Sequence, residues 1–582
     1  MTKLKNSNHI LFNVIQYIVF GFQAYAVPYD YSYTLDCLTT PPRAQYDGGI
    51  VVNPELNEGL NGWTAFEDAK IAHAASEDGN KFIVASNRNR PFHSAAQTFD
   101  LESERLYTFS AWLQVSHGKA DVAAIFKTKT SYETAGWVTA QKDCWSMLKG
   151  GLVVKTSGPA QLYFETNNTD VDICADSISL QSFTHQEWKS HQQQRIEEVR
   201  KTKVRFHVVD KYKRPLPNAT VSLSQTRRRF PLGCAINRNI LYNPAYQSWF
   251  LSRFKYTVFE NELKWYSTEY IRGFEDYSTS DAMVRFARSN RVGIRGHNIF
   301  WDDPRAQPSW VGALPPNELW AAAYKRINSV TNRYKGDLIH WDVVNENLHN
   351  HFFEDKLGNG AVSTLFYQMA RRIDGKATPF LNDYNTIEYS GDWASSPNRY
   401  LQRIWEMRAQ GYKGCLGIGL EGHFTFLNLP SVRAALDILV QARLPIWVTE
   451  LDFSPGPNQA WNLNQILQEL HSHEAVRGIM MWSAWSPQGC YVMCLTDNNF
   501  NNLATGYVVD NFINQLKHAD DSPDRSTDFN GYYETSLYHG EYQVQAKHPN
   551  GRQFSNIGRI SVLPKEGRRR VYRLTIDDEI EF

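Results

Sequence analysis

At 582 residues the chain exceeds what one hydrophobic core ordinarily supports, so two or three domains are expected. Lys plus Arg and Asp plus Glu each total 61, and the resulting zero formal charge excludes the basic field that nucleic acid or an acidic membrane surface requires. Aromatic residues make up 13%, with 17 Trp and 30 Tyr, more than an apolar core needs and suited to flat, polar-rimmed ligands such as sugars.

The amino terminus carries Lys3 and Lys5, then the apolar stretch "ILFNVIQYIVFGF", then small residues at Ala24 to Ala26. This order predicts a signal peptide over 1–26, cleaved after Ala26, rather than an anchor, because Asn13 and Gln16 interrupt a stretch already short for a bilayer. The mature chain is therefore expected outside the cell, with no membrane contact once the peptide is removed. Sequons at Asn167 and Asn218 fit glycosylation on that route. The seven cysteines are too few for a disulfide scaffold, and their odd number leaves at least one unpaired within the monomer. Cys490 and Cys494 are placed for a local bridge, the remaining pairing is open, and no zinc-site spacing occurs.

Residues 46–183 alternate short strand patterns such as "RLYTFSAWLQV" and "AQLYFETN" with turn-rich pieces, which predicts a β-sandwich. Residues 184–202 are polar and helix-prone and read as a helical linker. Residues 203–228 hold two strands around the turn "KYKRPLP" and read as a β-hairpin leading into the next domain. From 229 to 517 short apolar strands alternate with amphipathic helical stretches. Eight such units predict an α/β fold, a (β/α)8 barrel. Residues 525–582 return to alternating strands, a small C-terminal β extension.

In such a barrel the active site lies at the carboxyl ends of the strands, and those ends are loaded with polar residues. Strand two ends in Glu260 and Asn261 with Lys264 beyond, strand three reaches His297 and Trp301, and strand four ends in Asn345 and Glu346. Strand five gives Asn382 and Asp383 with Tyr384 following, strand six Glu421 and His423, strand seven Glu450 and Asp452, and strand eight Trp482 and Trp485. One buried carboxylate could be a structural ion pair, but convergence from seven strands points to chemistry. There is no phosphate loop, nucleophile elbow or metal cluster, whereas carboxylates, amides and indoles are what glycoside cleavage uses. One acid must protonate the leaving oxygen while a second carboxylate attacks or activates water, and Glu346 and Glu450 fit those roles.

"WDVVNE" at 341–346 and "WVTELD" at 447–452 resemble the two signatures of glycoside hydrolase family 10, the retaining endo-β-1,4-xylanases. "ENELKW", "RGHNIFWDDP", "LNDYN", "GIGLEGHF" and "MWSAWSPQGCYVMCLTDNNF" agree in order, with forms similar to plant members. Upstream, "NPELNEGLNGW", "CWSMLKGGL" and "LYFETNNTDVDICADSISL" resemble a family 22 carbohydrate-binding module. The resemblance implies that Glu346 is the acid/base, Glu450 the nucleophile, His423 a partner of the nucleophile with Asp452 behind it, and Asn345 a contact to the sugar 2-hydroxyl. It implies a sugar-binding role for Glu260, Asn261, Lys264, His297, Trp301, Asn382, Tyr384, Glu421 and Trp482, and, in the module, for Trp63, Trp137, Tyr163 and Glu165. Asp302 stands where bacterial members commonly carry a second His, and Glu421 and Gly422 where many carry Gln and Ser. The implied partner is cell-wall xylan or arabinoxylan, handled by a monomer without metal or cofactor. Another β-glycan hydrolase, or a wall-binding protein without catalysis, are the competing readings.

Overall fold

The computed structural model describes residues 27–517, 525–564 and 570–576. The segment expected to be a signal peptide, 1–26, lies outside them, as do parts of the C-terminal extension.

The first domain is two packed five-stranded antiparallel sheets. One runs Thr64–Phe66, Ser94–Leu101, Gly158–Glu165, Lys119–Lys127, Tyr132–Gln141 in spatial order, and the other Lys70–Ala75, Lys81–Ser86, Ile173–Thr184, Arg105–Val115, Ser146–Leu152. Alternation decides the faces: Phe109, Ala111, Leu113 and Val115 of one strand point into the core, where they meet Leu162 and Phe164 from the opposite sheet.

The strand Ile173–Thr184 runs directly into a helix, His185–Val199. Its start is set by a capping box, in which the Thr184 hydroxyl accepts from the Glu187 N–H while the Glu187 carboxylate accepts from the Thr184 N–H. The helix is polar on average but is bound to the barrel along one side. The Trp188 indole and the Gln192 amide both donate to Glu469 at 2.8 Å, and Glu469 holds Arg433 in a fully buried bidentate pair at 2.6 and 2.8 Å. This linker is therefore a brace.

Eight parallel strands close the barrel: Leu232–Ile236, Tyr256–Phe259, Gly293–Trp301, His340–Asn345, Thr378–Asp383, Gly417–Phe424, Ile446–Phe453 and Val476–Met481, the last pairing with the first through Leu232 and Ile479. Two glycines make room for indoles. A Cβ at Gly296 would lie 2.3 Å from the Trp341 ring, and one at Gly478 would lie 2.6 Å from the Trp447 ring, so a side chain at either position would displace the packed indole.

The strands expected to form a hairpin ahead of the barrel do not pair with each other. Lys201–Asp210 sits between Tyr532–Tyr538 and Val571–Ile576 in one sheet, whereas Thr220–Arg228 pairs with Gly540–Lys547, flanked by Gly558–Val562, in a second sheet. The two three-stranded sheets enclose one core containing Val204, Phe206, Val221, Leu537, Val544 and Ile576. Residues on both sides of the barrel sequence thus build a single small sandwich. Local spacing suggested a hairpin, but each strand has its partners more than 300 residues away (Val204 faces Thr535, Leu223 faces Val544).

The first domain is also fixed to the barrel. Lys149 and Asp437 form a buried ion pair at 2.6 Å, and Asp437 further accepts from the Tyr29 hydroxyl at 2.8 Å and contacts His473 at 3.1 Å. The Asn398 amide donates to the Trp137 carbonyl at 2.8 Å, and the Trp137 indole donates to the Ser390 carbonyl at 3.0 Å.

Removing one partner from a buried pair leaves an uncompensated charge, whereas an exposed pair contributes little. Glu469→Ala, which strands Arg433, is expected to lower stability by about 3–5 kcal/mol. Glu474→Ala, which removes the exposed partner of Arg195, is expected to change it by less than about 1 kcal/mol. Denaturant unfolding followed by tryptophan fluorescence measures both.

Candidate active site

The carboxyl ends of the barrel strands bring the polar residues into one connected network. Glu450, 4% exposed, projects from strand seven, and Glu346, 9% exposed, stands just past strand four. Glu346 has φ +59°, left-handed backbone that is unfavourable for a residue with a side chain, and its N–H is held by the Asn382 carbonyl at 2.9 Å. The distortion turns the chain sharply after Asn345, so that Asn345 and Glu346 both face the mouth.

Two side-chain amides connect the carboxylates. The Asn345 amide donates to Glu346 Oε1 at 3.3 Å, and Asn382 Nδ2 donates to Asn345 Oδ1 at 2.9 Å, with Glu421 Oε1 at 2.7 Å and Glu450 Oε1 at 3.4 Å also within reach. Which end of the Asn382 amide faces the acids is set from below, because the Thr449 hydroxyl donates to its oxygen at 2.5 Å. Thr449 is a residue that sequence reading passed over. It precedes Glu450, and its alternate-facing side chain is visible only once strands five and seven are placed together.

Charge is distributed unevenly. His423 Nε2 lies 3.3 Å from Glu450 Oε2, and its Nδ1 lies 3.0 Å from Asp452 Oδ2. Burial by itself would favour neutral imidazole, but the two carboxylates outweigh it and push the His423 pKa up to about 12. His423 is thus a cation. For Glu450, burial favours the protonated form, yet His423, His297 and Lys264 together pull its pKa down to about 2. Among the described residues none forms an ion pair with Glu346. Burial, reinforced by the charges of Asp383 and Glu450, raises its pKa to about 7. At near-neutral pH one carboxylate is ionised and the other is poised to hold a proton.

The remaining candidates surround this pair. His297 contacts Asp342 at 2.9 Å on one nitrogen and lies 3.9 Å from Glu450 on the other, its ring edge-on to Trp482 with centroids 5.5 Å apart. Asp342, also missed from sequence, is braced by Arg295 at 2.5 Å, and so fixes the imidazole. Lys264 is buried with its ammonium 4.4 Å from the centre of the Trp301 ring and 3.4 Å from Asn261 Oδ1. Burial lowers its pKa, opposed by the surrounding acids. Glu421 is raised well above the usual carboxylate range by burial and then by Glu450 and Glu346. Glu260 is raised to about 7, chiefly by burial. Tyr384 stacks on His349 with centroids 3.8 Å apart, and His349 bridges Asp383 and Asp392 at 2.5 and 3.0 Å. Tyr491, 77% exposed within the loop closed by the Cys490–Cys494 disulfide, lies edge-on to His423 at 5.5 Å and adds an aromatic ring that sequence reading did not single out.

Asp302 does not reach the mouth. Fully buried, it accepts from the Asn347 amide at 2.7 Å and the Phe353 N–H at 3.2 Å and so ties down the loop after strand four. Among the described residues two donor sets are spaced closely enough to coordinate an ion, Glu421 with His423 and Glu450, and Asp302 with His351 and Glu354. In each the charges are already met within the protein, by the His423 cation in the first and by Arg403, 3.1 Å from Glu354, in the second.

The module candidates separate. Trp63 is 5% exposed in the sandwich core, its indole donating to the Asn53 carbonyl at 3.3 Å, and is a packing residue rather than a sugar contact. Tyr163 is 3% exposed and stacked on Phe66 at 4.1 Å, which hides its ring face. Trp137 and Glu165 remain available, lining with Asp121, Asn168 and the barrel's Trp393 a cavity of about 320 Å³ between module and barrel. Asn167 and Asn218 are exposed.

The family model described as glycosyl hydrolase family 10 matches residues 222–500, and one described as a carbohydrate-binding domain matches 48–171. Endo-1,4-beta-xylanase 5 of Arabidopsis thaliana is 38% identical over 93% of this chain and 93% of its own length, and endo-1,4-beta-xylanase 5-like of the same plant is 39% identical over 94% and 95%. Among solved structures, an endo-1,4-beta-D-xylanase of Clostridium thermocellum covers 80% of this chain and 97% of its own, with 15% identity and a TM-score of 0.43.

Because Glu450 raises the pKa of Glu346, Glu450→Gln is expected to move the Glu346 titration midpoint down from about 7 while leaving it above the usual glutamate value, since burial persists. A carboxyl-carbon NMR titration of the two proteins reads the change.

Proposed function

The chain belongs to glycosyl hydrolase family 10, and from that premise we propose that it is an endo-1,4-β-xylanase that cuts cell-wall xylan with retention of configuration. The observation that carries the reading is the pair of carboxylates in opposite protonation states joined by the Asn345–Asn382 amides. Ionised Glu450 attacks the anomeric carbon while protonated Glu346 gives its proton to the departing glycosidic oxygen. Glu346, now a carboxylate, takes a proton from the water that releases the sugar from Glu450 and returns to its starting state.

The surrounding residues have definite tasks in this scheme. The His423 cation keeps Glu450 ionised, and Asp452 keeps His423 charged. Asn345 is placed to meet the sugar 2-hydroxyl, where hydrogen bonding strengthens as the anomeric carbon gains charge. Glu260, Asn261, Lys264, His297 and Trp482 line the glycone side. Tyr384, Trp301 and Tyr491 offer ring faces or edges around it, and Trp137 with Glu165 offers the module a contact to the same polymer. The physiological setting in this reading is the cell wall, reached by secretion. No helix among the described residues is long and apolar enough to cross a membrane.

Wild-type protein and Glu450→Gln are to be incubated with arabinoxylan, β-glucan and mannan, following new reducing ends and the anomeric configuration of the first products. Xylan cleavage with β-products first, reduced on the order of 10⁴-fold or more in the variant, is the expected result. Cleavage of another glycan would change the substrate, and binding without cleavage would leave a wall-binding protein. The alkaline limb of kcat/KM is expected to fall through about 7, as Glu346 loses its proton, with the acid limb near 2, where Glu450 gains one.

A further inference from the structure

A cavity of about 180 Å³ lies at the opposite end of the barrel from the carboxylates, where the barrel, the bracing helix and the small sandwich meet. Its position follows from the topology. Phe230 and Pro231 of its wall precede the first barrel strand and Arg477 is the second residue of the eighth, so it opens at the amino-terminal ends of strands whose carboxyl ends hold the catalytic groups.

The lining is one-sided in charge. Arg200 comes from the end of the helix, Arg228 and Arg229 from the end of a sandwich strand, Arg477 from the barrel, and two imidazoles, His471 and His539, join them, with no Asp or Glu among the described residues of the wall. Among the described residues none of the four arginines has an ion-pair partner, and the nearby Glu474 is engaged by Arg195. Arg200 is occupied by the carbonyls of His471 and Val476, at 2.7 and 2.8 Å, and cannot by itself bind a guest strongly. Arg228 differs: one of its nitrogens donates to the Arg253 carbonyl at 3.1 Å while Nη1 is buried without a partner. His471 is fully buried, and neither of its ring nitrogens has a partner. Guanidinium groups gathered without acid partners on the wall of a cavity of this size, roomy against the ~30 Å³ share of a water molecule, are complementary to a guest rich in acceptors.

We propose that this junction cavity binds a small oxyanion, whether phosphate, sulfate or the carboxylate of an acidic sugar, and that the anion ties the underside of the barrel to the small sandwich. Guanidinium groups match such anions through paired N–H donors, which a lysine-lined site could not reproduce. The local field agrees with an unfilled demand for negative charge. Burial, and then the neighbouring arginines, draw His539 down to about 4, and burial with Arg477 draws Arg200 down to about 9. The site carries no role in glycoside cleavage and does not depend on the substrate assigned above.

The test is thermal unfolding of the full chain in increasing phosphate, sulfate or glucuronate, with ionic strength held constant by sodium chloride. A saturable rise in the unfolding midpoint is expected, since a ligand that binds only the folded state at ~100 times its Kd favours that state about 100-fold. The Arg228→Gln, Arg477→Gln double variant is expected to fold and to lose the rise. A 31P line-width titration of phosphate against both proteins provides a readout that does not depend on stability. A response to phosphate and sulfate alone assigns an inorganic anion, and a response to glucuronate assigns an acidic sugar; either supports the site. Midpoints no different from those in sodium chloride, or a rise that persists in the double variant, would overturn it.

Discussion

Two acids buried at one barrel mouth cannot both be ionised unless something holds the charge of one of them. Here that constraint is met by a short chain of alternating charge, Asp452, His423, Glu450, whose contacts are 3.0 and 3.3 Å. The buried aspartate makes the imidazole a cation, and the cation keeps the glutamate a carboxylate. Glu346, across the Asn345–Asn382 amides, has no ion-pair partner among the described residues and takes the opposite state. Remove the histidine's charge and the two glutamates would compete for one proton under similar burial, and the division between nucleophile and acid would be lost.

Much of the barrel serves to keep that division rigid. Thr449 decides which end of Asn382 faces the acids, Arg295 and Asp342 fix His297, and the left-handed turn at Glu346 is held by a backbone bond to strand five. Each support comes from a different strand, so the closed barrel is what makes them simultaneous. The same strategy of buried, paired charge recurs at the domain borders, where Lys149 with Asp437 and Arg433 with Glu469 fix the module and the bracing helix to the barrel. These pairs contribute orientation more than stability, because desolvation offsets most of their attraction. The practical result is that Trp137 and Glu165 of the module stand beside Trp393 of the barrel.

The junction cavity presents the reverse situation, with positive groups gathered and no acid among its described lining residues. Charges at the mouth and at the domain borders are compensated within a few ångströms, and this contrast is what makes an external anion the natural complement. It also distinguishes the two ends of the barrel, one organised to change a sugar and the other to hold three bodies together.

The eight-strand count, the barrel class and the location of the polar strand ends were legible in the sequence because each depends on local periodicity and on the polarity of a few residues after each apolar run. The two carboxylates were legible for the same reason. What local pattern could not supply was partnership at a distance. Residues 203–228 read as a hairpin because two strands flank a turn, yet they pair with strands beyond residue 530. Trp63 and Tyr163 read as sugar contacts from resemblance alone, and only packing showed both buried, one in the sandwich core and the other beneath Phe66. Asp342, Thr449 and Tyr491 carry no signal in their own neighbourhoods, since their roles arise from what neighbouring strands and loops place against them. The sequence by itself determined which groups are available for chemistry. The tertiary structure decided their protonation, because burial and the distance to a neighbouring charge exist only after the strands are side by side.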